Sequence, residues 1–303
     1  MSSSVVEQMI VLFSFVFLGY IANRAKVLNQ NANACFSGFL LKVALPATIL
    51  NSAFGQTTLE KETIIPVAAM AALVFIIIPI FSKILARLFK WDATFELMLN
   101  YSNLGFMGFP LVESLYGKES VFYAAIFMMV FNVHIFTVGV MTLQGKGGER
   151  KQSLRKLFSP GILSALIAFI LVLFPIPLPA TLKSVVSGVG NCTTPLAMIV
   201  IGSQLAEGGI LESLKQHQLY IMALFKLIVY PVLIYGLFRL CIGNGMRTEI
   251  AAVLTGLPVA GNVTMLCSEY DGDVVLAAQG TCITTLLSLI TIPIMLLLIS
   301  GAS

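Results

Sequence analysis

Two clusters of glycine, proline and asparagine interrupt two otherwise apolar segments, and these residues are the best suited to chemistry in this chain. The first cluster, residues 103–110, reads NLGFMGFP, and the second, residues 256–262, reads GLPVAGN. Glycine and proline disfavour a helix by about 1 and 3 kcal/mol relative to alanine, so we expect both helices to break and the first to restart at Pro110. The N-terminal end of a restarted half-helix has unpaired N–H groups and about half a positive charge. Such ends bind anions, so the clusters predict an anion site.

Polar side chains beside the breaks complete the predicted site. An amide offers two donors and an acceptor, so we expect Asn103 to be a direct ligand and Asn262 a second one. The alternative is that each asparagine only caps its half-helix, a role that Asn262 suits. Asn51 and Gln204 occupy roughly equivalent positions in two other segments, where they face the substrate or make helix–helix hydrogen bonds. The full predicted substrate-binding set is Asn103, Gly105, Gly108, Pro110, Pro258, Gly261, Asn262, Thr264, Asn51 and Gln204.

Three titratable residues are candidates for coupling or charge compensation. Lys226 lies within an apolar segment and either compensates an anion or snorkels to an interface. Glu113 is the acid nearest a break, where it either couples transport to a cation or stabilises the half-helix. His134 either relays a proton or is structural. No carboxylate lies at the centre of an apolar segment, which argues against strong sodium coupling.

The composition requires a membrane. The 303 residues are 58% hydrophobic and 11% charged, and the mean hydropathy is +0.95, whereas soluble domains are about 45–50% apolar and about 25% charged. This excludes a soluble domain, a disordered chain and a nucleic-acid binder. Five scattered cysteines without paired spacing predict reduced thiols. We find no motif for an enzyme, a metal or a cofactor, so none is predicted.

The elements that must position these residues are ten apolar segments, each long enough to cross a bilayer as a helix. The sequence therefore predicts an all-α integral membrane protein. Segments 4 and 9 contain the two clusters. The ten segments are 5–23, 34–54, 64–88, 94–116, 120–142, 160–178, 184–206, 217–242, 248–269 and 273–299.

The distribution of Lys and Arg predicts the orientation. The odd-numbered connections between segments carry 11 of these residues and the even-numbered ones carry 5. Because Lys and Arg concentrate in cytoplasmic loops, we expect both termini outside the cytoplasm in a multi-pass plasma membrane protein (the inner membrane in a bacterium). The bias comes mainly from the first half of the chain.

Landmarks recur across a basic connection at 144–159. Four pairs lie 149 to 154 positions apart, and five segments lie on each side of that connection. An odd number of spans per half places the halves in opposite orientations, and inverted repeats are a transporter architecture. We therefore predict repeats at 1–150 and 151–303. The four pairs are Pro46 with Pro195, Pro79 with Pro231, Glu96 with Glu249, and Tyr116 with Tyr270.

At these residues the sequence resembles the auxin efflux carrier family, which includes plant auxin exporters and bacterial malonate and malate permeases. The stretch from Asn103 to Pro110 matches the first crossover motif of the family, and GLPVAGN followed by SEY resembles the second. LKVALPATILNSAF resembles the second helix, and SPGILSALIAFIL resembles the sixth. The family has Pro near Val263 in plant members, whereas Asn262-Val263 stands here.

The resemblance implies an architecture and a mechanism. It implies ten helices, crossing broken helices 4 and 9, a homodimer, and a fold similar to that of bile acid:sodium symporters. It also implies a scaffold domain (5–54 and 160–206) and a transport domain (64–142 and 217–299) that moves in elevator-type alternating access. The expected function is secondary active or facilitative transport of small organic anions, either malonate- or malate-like or auxin-like. Two alternatives remain: a sodium-coupled symporter of the bile acid type, and a membrane sensor of organic acids that does not transport.

Overall fold

The computed structural model describes residues 2–54, 61–144, 160–174, 178–207, 215–270 and 272–301. These residues are almost entirely helical, and no strand occurs among them. The helices of the first half are α1 (Ser2–Arg24), α2 (Gln30–Phe39), α3 (Leu45–Phe54), α4 (Lys61–Phe89), α5 (Ala93–Asn100), α6 (Phe109–Tyr116), α7 (Val121–His134) and α8 (Val140–Gln144). Those of the second half are α9 (Pro160–Leu173), α10 (Ala180–Asn191), α11 (Thr193–Glu207), α12 (His217–Leu224), α13 (Tyr230–Ile242), α14 (Met246–Thr255), α15 (Gly261–Glu269) and α16 (Val274–Gly301).

Each of the ten predicted segments coincides with helix, so the all-helical class is confirmed. Among the described residues, three π-helical turns continue one α-helix into the next, and a fourth, Leu104–Gly108, precedes α6. The basic connection lies, from residue 145 onward, outside the described residues. Within the described part, six helical stretches are long and apolar enough to span a membrane: 30–51, 64–89, 118–144, 180–207, 217–242 and 274–299.

Helix α4 shows why these helices require a lipid environment. Met70 and Ala71 are buried on its inner side, as in any packed helix. Its outer side repeats isoleucine every fourth residue, and Ile76, Ile80 and Ile84 are each more than half exposed. A helix that is apolar on all sides belongs in a membrane or a large core. Apolar side chains cover the outside here, so lipid is the medium that fits.

The described residues form two compact units. Unit 1 comprises Met1–Ala69, Gly105–Met129 and Phe158–Glu207, and unit 2 comprises Met70–Leu104, Val130–Leu157 and Gly208–Ser303. The assignment of scaffold and transport domains from the sequence remains a prediction.

Unit 1 is held by close helix packing and by polar contacts. Helices α1 and α11 meet at glycines, because a Cβ on Gly19 or Gly202 would overlap backbone atoms of the opposite helix. Small residues at such positions let membrane helices approach closely. The Thr48 hydroxyl bonds the Gly190 carbonyl oxygen at 3.0 Å and the Thr193 hydroxyl at 2.8 Å. These contacts join α3 to α10 and α11.

Unit 2 contains residues 101–103 and 256–260, the non-helical residues at the two predicted clusters, so its packing positions the candidate site. The hydroxyls of Ser82 and Tyr230 are 2.8 Å apart and connect α4 to α13 within the unit. Gly280 of α16 packs so closely on α5 that a Cβ would overlap the Met98 sulfur. Asp92 accepts a hydrogen bond from the Phe95 N–H and so caps α5, which fixes where this half-helix begins.

Candidate functional site

The first break is short and sharply bounded. Helix α5 ends at Asn100, and the chain resumes as a π-helical turn at Leu104–Gly108 that leads directly into α6. Only residues 101–103 lie outside helix. The restart expected at Pro110 is therefore wrong, since Gly105 and Gly108 fit within a π turn and Pro110 is the second residue of α6. Proline is tolerated there because the first N–H groups of a helix have no intrahelical partner.

The second break is five residues long. Helix α14 ends at Thr255, and α15 begins at Gly261 after an extended Ala260 with φ −70° and ψ 136°. Ala260 is the N-cap residue, and no side chain caps this end. The capping role considered for Asn262 is therefore wrong. Asn262 already lies inside the helix, whereas a capping side chain belongs to the residue before the first helical position.

The two breaks pair with each other. Ser102 lies opposite Val259 in an isolated antiparallel bridge. The Asn103 N–H donates to the Pro258 carbonyl oxygen at 2.8 Å, and the Ala260 N–H donates to the Tyr101 carbonyl oxygen at 3.0 Å. We call residues 101–103 and 258–260 the crossover. The pairing satisfies backbone groups of the two non-helical segments, which are costly to leave unsatisfied in apolar surroundings.

Two hydroxyl groups complete the hydrogen bonds of the crossover. The Ser102 hydroxyl donates to the Thr255 carbonyl oxygen, 3.1 Å away, at the end of α14. The Thr284 hydroxyl of α16 accepts the Val259 N–H at 3.0 Å. Both side chains are buried. Each break is thus fixed by a side chain as well as by the opposite strand.

The start of α15 offers the best place for an anion. The N–H of Val263 donates to the Ala260 carbonyl oxygen at 3.0 Å, while those of Gly261 and Asn262 have no acceptor within the described part of the chain. A Cβ built on Gly261 would meet no atom within 4 Å. Two donors at the positive end of a helix therefore lie beside a glycine whose side-chain direction is open, which is an arrangement suited to a carboxylate.

Lys226 lies in the π-helical turn Phe225–Val229 and is only 1% exposed. Its Nζ donates to the Leu99 carbonyl oxygen at 2.8 Å. Leu99 is in the last turn of α5, where the helix dipole is negative and favours a cation. Because its amino group is buried against α5, Lys226 does not snorkel to an interface. Its hydrogen bond instead brings the amino group to the helix end that precedes the first break.

Tyr101 connects the first break to His134. Its hydroxyl lies 2.9 Å from His134 Nδ1. The same hydroxyl can donate to the His134 carbonyl oxygen, 3.3 Å away. The ring of Phe131 packs edge-on against Tyr101. A side chain on Gly139 would collide with the hydroxyl, since its Cβ would lie 2.8 Å away. The backbone of Tyr101 pairs within the crossover while its side chain fixes the crossover to α7.

With this geometry in place, comparison with known proteins decides the family. The family model described as membrane transport protein matches residues 4–296. The chain belongs to this family. The match confirms the resemblance to auxin efflux carriers and identifies a membrane transport protein, not an enzyme.

Individual relatives of this membrane transport protein cover most of its length. It is 28% identical to a protein of Rhizobium meliloti named "Putative malonate transporter", over 96% of this chain and 94% of that one. It is 23% identical to an "Uncharacterized transporter" of Methanothermobacter thermautotrophicus, over 95% and 96%. A mouse "Lysosomal cholesterol signaling protein" is also 23% identical, over 91% of this chain but 35% of its own length.

The structure brings some of the predicted site residues of this transport protein together. Asn103, 7% exposed, and Pro258 meet directly in the crossover. Gly261, Asn262 and Thr264 follow on the first turns of α15 and are each partly exposed.

The other predicted substrate-binding residues, and Glu113, belong to unit 1. Gly105 and Gly108 lie in the π turn before α6, which carries Pro110 and a half-exposed Glu113. Glu113 lies beyond the first turn of α6, so the first-turn role considered for it is wrong. Asn51 is half-buried in α3, and Gln204 lies in α11 with its side chain outside the described residues.

Sequence reasoning missed the residues that hold the crossover by backbone and hydroxyl groups. Tyr101 and Ser102 directly precede the first recognised cluster, and Val259 lies within the second, but backbone pairing has no residue signature. Thr284 lies in a hydroxyl-rich stretch, ITTLLS, that is equally typical of helix packing. The position of Ser102 next to Asn103 was the one available signal.

An open cavity of about 360 Å³ lies at one end of unit 2. Its lining comes from the starts of α5, α12 and α16 and from the connections before them, and includes Lys90, Gln218 and Asp273. The connections before these helices are three of the odd-numbered ones, so unit 2 places them at the same end. That agrees with the pattern on which the predicted orientation rests.

Proposed function

We propose that this membrane transport protein carries small organic anions and binds their carboxylate at the crossover. The observation that supports this most is the start of α15, where the N–H groups of Gly261 and Asn262 adjoin open space. The amide of Asn103, adjacent in the paired strand, supplies further donors. The name of the Rhizobium meliloti relative favours a dicarboxylate such as malonate, and an auxin-like monocarboxylate is the other substrate to test.

The proposed architecture has ten membrane-spanning helices in two inverted repeats. Matched helix bounds support it, because α5 and α14 begin at Ala93 and Met246, 153 positions apart, and α6 and α15 end at Tyr116 and Glu269, also 153 apart. Two broken helices at equivalent positions are the pattern expected of a transporter site. A homodimer in the plasma membrane with both termini outside the cytoplasm completes the proposal.

The proposed mechanism is elevator-type alternating access, in which the domain that holds the site moves as one body. The paired backbone, both hydroxyl groups and Lys226 all lie in unit 2, so the crossover can move without breaking its own contacts. The Lys226 ammonium compensates part of the negative charge of a bound anion. His134, next to the crossover through Tyr101, is the proposed proton-coupling residue in a proton-driven cycle.

Ligand-induced stabilisation of the purified protein tests whether the crossover binds the anion. We expect malonate, malate or indole-3-acetate to raise the melting temperature of the wild type, with or without sodium. Asn103→Ala should remove the shift, whereas Asn132→Ala, which removes a buried amide of unit 2 that is not one of the crossover residues, should retain it. A shift that Asn103→Ala leaves intact would contradict the site, and a shift seen only with sodium would favour the symporter alternative.

A further inference from the structure

We propose that Thr284 is a positioning residue that holds the second break in the conformation that binds the anion. The inference rests on the proposed function and adds a residue on α16 to a site that otherwise consists of the two broken helices. Thr284 is fully buried, so its hydroxyl acts on the protein and not on the substrate.

The bridge between Ser102 and Val259 creates the need for this residue. The hydrogen bonds of the pair run between their neighbours, from Asn103 to Pro258 and from Ala260 to Tyr101. In an antiparallel pair of this kind, the two opposite residues exchange no hydrogen bond, and their own N–H groups point away from each other. The Val259 N–H therefore needs an acceptor outside the crossover, and in this structure Thr284 provides it at 3.0 Å.

The hydroxyl of Thr284 both donates and accepts a hydrogen bond in this arrangement. It donates its proton to the Gly280 carbonyl oxygen at 2.7 Å, one turn back on α16, and accepts from Val259 with a lone pair. A hydroxyl has one proton and two lone pairs, so both bonds form at once. The Gly280 backbone in turn lies against Met98 of α5. One short stretch of α16 thus contacts both broken helices.

The position of Val259 determines where the anion-binding donors point. Val259 is two residues before Gly261, and the residue between them, Ala260, is already fixed by Tyr101. If the Val259 N–H loses its acceptor, the break can rotate towards another partner, and the N–H groups of Gly261 and Asn262 rotate with it. Loss of Thr284 should therefore weaken substrate binding while leaving the translocation step largely intact.

Thr285 provides a matched control next to Thr284 on the same helix. It is also buried, at 3% exposure, and its hydroxyl donates only to the Thr281 carbonyl oxygen of its own helix. Thr284→Val and Thr285→Val remove the same atoms from adjacent buried positions and preserve the side-chain shape. Only the first removes a bond to the crossover, so a difference between them isolates that bond.

The test measures malonate uptake into proteoliposomes together with hydrogen exchange of the peptide that covers residues 256–262. We expect Thr284→Val to raise KM about tenfold, because leaving one buried donor unpaired weakens binding by a factor of this order. The maximum rate should stay within about twofold of the wild-type rate. Exchange in that peptide should increase. Thr285→Val should change neither, and Thr284→Ser should restore both. A loss of rate at unchanged KM would indicate a merely structural role.

The two measurements separate this inference from the proposed function. If the wild type transports and Thr284→Val has the KM and exchange of Thr285→Val, the positioning role is overturned. If the wild type moves no organic anion but exchange rises only in Thr284→Val, the role of Thr284 in ordering the break is supported and the proposed substrate class is wrong.

Discussion

Ser102 and Thr284 satisfy backbone groups that the two breaks would otherwise leave unpaired in a membrane. The sequence predicted Asn103 and Pro258 at the crossover because amides, glycines and prolines have recognisable effects on helices. It did not predict the hydroxyl residues, since a serine or threonine in an apolar helix more often bonds its own helix, as Thr285 does. The capping role considered for Asn262 was wrong because the helix starts two residues earlier than that role requires.

Gly256 in the second break and Gly261 directly after it should respond differently to alanine. A Cβ on Gly261 would meet nothing within 4 Å, and alanine favours helix by about 1 kcal/mol, so Gly261→Ala should preserve the melting temperature. Its methyl group occupies the proposed carboxylate position, however, and should reduce malonate affinity at least about tenfold, or about 1.4 kcal/mol. Thermal unfolding and uptake kinetics on the same preparations measure both effects.

Gly256→Ala is the contrasting variant. Its Cβ would lie 2.7 Å from the Met295 sulfur and 3.0 Å from Pro231, so overpacking should destabilise the protein by about 1–3 kcal/mol. Equal losses of stability in Gly256→Ala and Gly261→Ala would show that the space beside Gly261 is filled and leaves no room for a carboxylate.

At the scale of elements, the two broken helices were predictable and their pairing was not. Glycine and proline locate a break through local backbone energetics, and helix bounds followed from the length of the apolar runs. The first break was expected to extend to Pro110, but a π turn accommodates residues 104–108 within helix. The antiparallel bridge between 102 and 259 joins residues far apart in sequence, and no periodicity reports such a contact.

Close packing between α1 and α11 gives a prediction at this scale. A Cβ on Gly202 would overlap the Val16 carbonyl oxygen, a backbone atom that cannot move aside. Gly202→Ala should therefore destabilise unit 1 by about 1–3 kcal/mol, measured as a lower melting temperature in detergent. Gly188→Ala is the control, because a Cβ there meets no atom within 4 Å. A melting temperature for Gly202→Ala that equals that of Gly188→Ala would mean that these helices pack less closely.

At the scale of the whole molecule, composition and charge distribution determined the class, and the family match established a membrane transport protein. The repeat was visible as recurring landmarks, and paired helix bounds with an offset of 153 support it. Substrate identity is not encoded at this scale, because in the proposed site a carboxylate would be bound mainly by backbone N–H groups, and these are present in any residue except proline.

Cysteine labelling in intact cells tests the proposed topology. Single cysteines replace Lys90, Gln218 and Asp273 in turn, in a background without the five native cysteines. These positions line one cavity of unit 2. We expect none of the three to react with a membrane-impermeant maleimide unless the cells are permeabilised. Asn244 lies beyond the other end of the 217–242 stretch, so a cysteine there should react from outside. If the three cavity cysteines react from outside and the cysteine at 244 does not, the orientation is the opposite of the proposed one. If only some of the three cavity cysteines react, they do not lie on one side of the membrane.

The measurement that tests the central claim most directly is uptake of labelled malonate, malate and indole-3-acetate into proteoliposomes, with and without an imposed membrane potential and sodium. We predict saturable uptake of at least one acid, sensitive to the potential or to a proton gradient, reduced at least about tenfold in Asn103→Ala and retained in Asn132→Ala. Equal uptake by both variants would contradict transport through the crossover. Stabilisation by an acid without uptake would show that the chain binds organic anions but does not carry them.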